Sequence, residues 1–483
     1  MTSPPLHFLS LPRPDANSGP AAGVPDTTTV AAHDFDVDAR TGFMPPQAPL
    51  SRLPEPWELW ETVLDEAISS RLKLGEAKDI TEEDRQKSES WRDKTRLLPV
   101  LQTTELKQSE VLLRRSHLVL AWLMHFYINT LHPTAPIIIP RSISIPLLEV
   151  SDYMILPPVL TYSDDVLYNW KFKNAETTTG LPTSDNICIQ TSFTSTVSEE
   201  HFYLVPAYME LRGAVALSLM SLIMDEAYVR DSIALRRISR YLQHLSHVIN
   251  DLTTILMTMR EKCDPDVFYH EVRPWFKGQD SMKGERRWVF EGVGEPEYEH
   301  LKQPSDDQLH GPSAGQSSLI HAIDTFLGVE SHKASISGAS QRGKEKQEES
   351  FLGRMQKYMP RHHRAFLRHL ATNPRPLRVI VDEETTEGRN PELRIAYNEA
   401  VQSLKNLRDF HLRIVAMYII GPSRRVAAGQ REIPGTSQTA SVATIDAPVE
   451  KGTGGTNAMV FLKGIRDRTA DTVLVSNLDV TTI

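Results

Sequence analysis

Residues 232–260 read SIALRRISRYLQHLSHVINDLTTILMTMR. Leu235, Ile238, Leu242, Leu245, Ile249, Leu252, Leu256 and Met259 recur at alternating steps of three and four, which makes one apolar face of a long helix. Such a face needs a partner. A helical bundle closing over it is the expectation, and a two-chain coiled coil is the alternative. His244 and His247 flank the stripe and are expected in solvent. The stretch makes the chain mainly α.

Towards the C-terminus, Pro391 opens another helical pattern as a first-turn residue, and Gly421-Pro422 is expected to stop it after residue 420. Leu404, Leu407, His411, Val415 and Tyr418 share one face, so His411 stands where an apolar residue belongs in a buried stripe. A core histidine hydrogen-bonded to a neighbour fits this placement. So does an axial ligand to haem iron, presented by a rigid helix to an apolar cavity with its other ring nitrogen tied to an acceptor. Arg408 lies one turn earlier, where it meets a propionate or a carboxylate. Spacing does not choose between the two.

Polar inserts at 331–350 and 423–450 interrupt this half, the first read as a flexible loop and the second as a lid. Gly452-Thr453-Gly454-Gly455-Thr456 follows the second, with backbone N–H groups and hydroxyls suited to an anion, or to an ordinary turn. It lacks the Gly-Lys-Ser/Thr ending of a nucleoside triphosphate loop. Towards the N-terminus, residues 1–54 read as an extended or partly disordered arm, and 58–130 holds helical stretches. Residues 133–146, with Ile137-Ile138-Ile139 between prolines, are expected to be extended. Pro157-Pro158 breaks the chain, and the polar stretch 180–195 marks a boundary. The expected organisation is a small mixed domain over 55–193 and a large all-helical one over 194–483.

At 483 residues the chain is too long for one ordinary core, and 40% hydrophobic with 24% charged residues is a folded composition. A net charge of -9 argues against nucleic acid or an anionic membrane as partner. The apolar runs 117–128 and 213–224 fall short of the about 20 helical residues that span a bilayer, and read as core helices. Pro4, Pro5, Pro12 and Pro14 rule out a secretory signal over the first residues, while Cys188 and Cys263 match no metal spacing. The cytoplasm is the expected location. His362-His363 diverge by about 100° on a helix, so with His369 they read as part of a solvated basic helix rather than a metal cluster. Hydrolase, zinc-peptidase and thiol-redox readings find no nucleophile elbow, His-Glu-x-x-His or Cys-x-x-Cys to support them.

Several stretches taken together resemble the indoleamine 2,3-dioxygenase family, its fungal members most closely. They are Leu156-Pro157-Pro158-Val159-Leu160 with Asn169-Trp170-Lys171, Ser313-Ala314-Gly315-Gln316-Ser317-Ser318, Met359-Pro360-Arg361-His362-His363-Arg364, Phe410-His411-Leu412-Arg413-Ile414-Val415, and Lys451-Gly452-Thr453-Gly454-Gly455-Thr456. They occur in the family's order, and the likeness runs over residues 6–474. The resemblance implies a two-domain helical dioxygenase with haem b in the larger domain. It implies insertion of both atoms of O2 across the indole C2–C3 bond of L-tryptophan, giving N-formyl-L-kynurenine on the way to NAD. An electron donor keeps the iron ferrous, and the protein is a monomer.

By the same resemblance His411 is the proximal ligand, and Arg273 pairs with the substrate carboxylate, although its residue context alone suggests a surface ion pair. Phe268 packs over the indole, Phe202 and Tyr162 form further walls, and Ser313 and Ala314 line the haem pocket. Gly455 and Thr456 belong to a loop closing over the amino-acid end, and Asp324 and Arg408 are a proximal pair. Two positions depart from the pattern. Pro206 replaces a common serine and is expected to interrupt its helix. Asp165 puts a carboxyl beside the indole, where it either faces solvent or changes substrate preference. They support a second reading, a haem-binding paralogue that acts as sensor or binding protein. A third is a haem-free scaffold built on the 232–260 stripe.

Overall fold

The computed structural model describes residues 35–174, 180–281, 286–329, 351–427 and 458–475. In the N-terminal part, helix α1 (Glu58–Ser69) buries Trp60, Val63, Leu64 and Ala67 on one face. Helix α2 (Glu82–Arg96) starts at a capping box, in which Thr81 Oγ1 accepts from the Asp84 amide and Asp84 accepts from the Thr81 amide, both at 3.1 Å. Helix α3 (Glu110–Asn129) is buried all round from His117 to Ile128, as its sequence suggests. Its Arg115 donates twice to Glu61 of α1, at 2.6 and 2.8 Å, so both charges enter the core matched.

Only part of 133–146 is extended. Ile137–Ile139 forms strand β1, but helix α4 (Arg141–Met154) follows at once and carries Pro146 inside it. The proline forgoes one backbone bond, and burial of Ile143, Ile145 and Leu147 around it outweighs that loss. Before Pro157-Pro158 the chain turns at Ile155, which adopts a left-handed φ of 52°. Strand β2 (Trp170–Phe172) pairs antiparallel with β3 (Ile187–Ile189), and β1 pairs in parallel with β4 (Trp288–Phe290). The part beyond residue 194 is therefore not all-helical. Trp288 and Phe290 point into the core beside Ile137 and Ile139, and that burial recruits a strand across the chain.

Helix α5 (Val197–Val229) and helix α6 (Ser232–Met257) are joined at Arg230, with Asp231 capping the Ile233 and Ala234 amides at 2.8 Å. After α6 come α7 (Ser318–Leu327), α8 (Arg361–Ala371), α9 (Leu377–Thr385), α10 (Pro391–Val415), α11 (Gly421–Ala427) and α12 (Ala458–Ala470). The stripe is buried along its length, packed against α10 on one side and α5 on the other, so its partner lies within the same chain. His244 and His247 are exposed, as expected.

Three expectations change. Helix α5 runs unbroken past Pro206 for 33 residues, because its apolar side is held by α6 and the lost bond is only one of many. By length and composition α5 could cross a membrane, of which 213–224 is only the middle; nearly half of its most apolar window is buried in the fold. Gly421-Pro422 does not stop α10 either. A π-helical turn over Ala416–Ile420 widens the backbone, Gly421 keeps helical angles, and α11 continues the rod. Finally, α8 is not a solvated basic helix. His363, Leu367 and Leu370 form a buried face, with the His363 ring 4.8 Å from Phe43 and its Nδ1 3.3 Å from Ser318 Oγ.

Candidate active site

A cavity of about 300 Å³ opens between α10 and a set of shorter segments. Helix α10 presents Leu404, Leu407, Arg408, His411 and Val415 to it, with Tyr418 following from the π-turn, so the expected stripe becomes one cavity wall. The Tyr418 hydroxyl donates to the Cys263 carbonyl at 2.7 Å and ties this wall to the chain after α6. Arg408 donates to both carboxylate oxygens of Asp324 on α7, to Oδ2 at 2.6 Å, and also to Thr469 of α12. Three helices thus meet at one buried pair. Burial, then the nearby Arg408 guanidinium, pushes His411 down to about 4, so its imidazole is neutral at physiological pH. Among the described residues neither His411 ring nitrogen has a hydrogen-bond partner; the expected second acceptor is not there.

The facing wall comes from four separate stretches. Tyr162, Asp165 and Val166 enter around a π-helical turn over Ser163–Leu167, and Phe268 and Arg273 around another over Phe268–Val272. Phe202, Pro206, Met209 and Glu210 come from α5, and Ser313, Ala314 and Ser317 from the loop before α7. All three π-helical turns among the described residues contribute to this one cavity. Such turns re-aim side chains by inserting a residue into the helical ladder. The rings of Phe202 and Phe268 are 4.5 Å apart, and Phe268 meets Tyr418 edge-on at 5.8 Å, linking the two walls. The Arg273 guanidinium lies 5.3 Å from the Tyr269 ring, and the residue lines the cavity.

A polar network holds the Tyr162 side. The Tyr162 amide donates to Gln316 Oε1 at 2.8 Å, and its hydroxyl donates to Glu210 Oε1 at 3.0 Å. Ser317 donates to the same Glu210 oxygen at 2.7 Å, so the Ser-Ala-Gly-Gln-Ser-Ser segment is what anchors Tyr162. That segment is pressed close to its neighbours: a Cβ on Gly311 would sit 1.8 Å from the Phe276 carbonyl oxygen. Gly311-Pro312-Ser313-Ala314-Gly315 does carry the Gly-x-Ser-x-Gly spacing. It follows no strand, and Ser313 Oγ accepts from the Gly315 amide at 3.2 Å, so it is a capping turn and not a hydrolase elbow.

Burial raises the Glu210 carboxyl to about 7 despite its two donors. Asp165 does not face solvent: it is 4% exposed, and its Oδ1 has no hydrogen-bond partner among the described residues. Burial, then the charges of Asp164 and Glu199, push its carboxyl well above the usual range. Gly455 and Thr456 lie outside the described residues. Glu210 and His321 went unread in the sequence. For Glu210 a signal existed, since Phe202, Pro206, Met209 and Glu210 fall at helical spacing on one face of an otherwise apolar helix. His321 lines the cavity while its Nε2 engages the Gly315 carbonyl at 2.9 Å, a contact no spacing reveals.

The donor set suits a haem. No group of three or more His, Cys, Asp or Glu able to hold a bare ion occurs among the described residues. A single neutral, unpartnered imidazole in a largely apolar cavity fits an iron that brings its other ligands in a flat macrocycle. The family model described as indoleamine 2,3-dioxygenase matches residues 31–472. The chain is 30% identical over 443 residues to rat indoleamine 2,3-dioxygenase 1, covering 91% of this chain and 95% of that protein. It is 32% identical over 460 residues to the indoleamine 2,3-dioxygenase of Saccharomyces cerevisiae, covering 92% and 94%. A 6-hydroxytryptophan 2,3-dioxygenase of Fusarium equiseti is 28% identical over 448 residues, covering 92% and 98%. A match of this extent, with His411 on the wall of an apolar cavity, makes the chain a member of the indoleamine 2,3-dioxygenase family of haem-dependent dioxygenases.

Proposed function

We propose that the protein converts L-tryptophan and O2 to N-formyl-L-kynurenine. The observation that carries this reading is a single cavity lined by His411 together with Phe202, Phe268 and Arg273. His411 would hold the iron of haem b, which supplies the oxygen chemistry when bound. The chain's own residues position and enclose. Phe202 and Phe268, packed against each other, offer an apolar surface to a flat indole and keep water from it, and Arg273 takes the substrate carboxylate. Tyr162, fixed by Glu210 and Gln316, closes one side, and Ser313 and Ala314 line the rim. Arg408 and Asp324 hold α10 and α7 in register behind His411.

In the overall reaction the indole C2–C3 bond breaks and each carbon receives one oxygen atom, giving a formyl amide and an aryl ketone. No net electrons are consumed, so an electron donor serves only to keep the iron ferrous. The reading extends to a cytoplasmic monomer with a small domain over 55–193 and a haem domain over 194–483, feeding kynurenine towards NAD, with no nucleic-acid or membrane partner.

The test is to add L-tryptophan in air to reduced, haem-loaded protein and follow the near-ultraviolet band of N-formylkynurenine. Accumulating product supports the reading. A Soret band with no product from any indole supports a haem-binding sensor instead, a reading that Pro206 and Asp165 on the substrate wall favour.

A further inference from the structure

The geometry points to Asp165 as a specificity-determining residue that selects indole substrates carrying a hydroxyl group on the benzenoid ring. This rests on the dioxygenase reading above. Three acidic side chains lie on or just behind the wall built by residues 162–166 and α5, and they differ in how they are held. Asp164 accepts from the Thr161 amide at 2.9 Å, the Thr161 hydroxyl at 2.7 Å and His117 at 2.8 Å. Glu210 also lines the cavity and leaves Oε2 without a partner among the described residues, but its Oε1 is fixed by Tyr162 and Ser317. Asp165 has no side-chain donor of this kind, lines the cavity, and leaves Oδ1 buried without a partner among the described residues.

A carboxyl in that state is costly to keep unless something supplies its missing hydrogen bond. No described residue supplies it at Oδ1, although the cavity lining includes polar groups. A ligand entering the cavity can bring the polar group. Cleavage at C2–C3 requires the pyrrole edge to face the wall that bears His411. The opposite, benzenoid edge then faces away from that wall, towards the remaining lining, to which Asp165 belongs. Unsubstituted indole presents only C–H bonds on that edge. A ring hydroxyl both donates and accepts, and burial favours the neutral acid at Asp165, which does the same. With tryptophan the acid stays unpaired; with a hydroxylated ring it is satisfied.

The experiment compares L-tryptophan with each of its ring-hydroxylated isomers on the haem-loaded full chain. It measures kcat/KM in air and Kd from the anaerobic Soret shift, for wild type, Asp165→Ala and Asp165→Asn. At least one isomer is expected to exceed tryptophan by about 10- to 100-fold in kcat/KM, with Kd moving the same way. Asp165→Ala should collapse that ratio while raising the value for tryptophan itself, and Asp165→Asn should retain part of the preference. Tryptophan turned over as well as every isomer overturns this proposal and leaves the dioxygenase reading standing. Equal losses for all substrates in both variants also overturn it, since they mean that Asp165 meets the indole nitrogen or the fold. No turnover of any indole overturns both.

Discussion

The two walls of the cavity are built on opposite plans. The wall bearing His411 comes from one helix and the π-helical turn that extends it, backed by a matched ion pair and a tyrosine tied to a neighbouring carbonyl. The facing wall is assembled from four stretches far apart in the chain, two of them around π-helical turns, and it carries two carboxyls each with an oxygen unpartnered among the described residues. The first plan suits a ligand that must be held in one geometry, because a helix fixes its side chains through packing and a complete backbone ladder. The second suits selectivity, because a change in one short segment alters one contact without moving the others. On the function proposed above, metal retention is expected of the first wall and substrate choice of the second.

Substitutions on the two walls should fail in different ways. The largest effect is expected for His411→Ala: the protein folds but loses its haem, seen as a missing Soret band, and normal haem with normal turnover would break the division at its root. Next comes Asp324→Ala, which strands the buried Arg408 and should cost about 3–5 kcal/mol in denaturant unfolding. A loss below about 1 kcal/mol would show that this pair is not what stiffens the ligand wall.

Arg273→Ala, on the facing wall, should keep the haem. It should raise KM and lower kcat/KM about 10- to 150-fold, the worth of one charge-assisted pair. Unchanged kinetics would remove the carboxylate role. The smallest effect concerns Glu210, whose folded carboxyl sits at about 7 against an ordinary 4.5. The folded state holds this proton more tightly, so the contribution is fully present below pH 4.5 and is lost as pH rises through about 7. Glu210→Gln keeps an acceptor for Tyr162 and Ser317 and removes the titration. Its stability relative to wild type should climb by on the order of 2 kcal/mol across that window. A difference that stays flat with pH would mean that Glu210 is not held protonated by burial.

The same division runs through what could be read in advance. The 232–260 stripe and the face containing His411 were legible because helical periodicity is local: residues three and four apart share a side whatever the rest of the chain does. The place of Phe268 and Arg273 at the cavity was expected only through family resemblance; from its residue context alone, Arg273 reads as a surface ion pair. The buried face of α8, the passage of α10 through Gly421-Pro422 and the continuity of α5 past Pro206 each went against a local rule, and in each the packing of neighbouring elements outweighed a single lost bond or a polar composition.

By itself, then, the sequence determined the helical class, the bundle around α6 and the helix face from which His411 projects, since all three follow from the spacing of apolar residues. Only the tertiary structure decided that Glu210 anchors Tyr162 and that Asp165 is buried in the cavity instead of facing water. Burial and hydrogen-bond satisfaction depend on segments far apart in the chain, 154 residues for Tyr162 and Gln316, and no local pattern encodes which of them will meet.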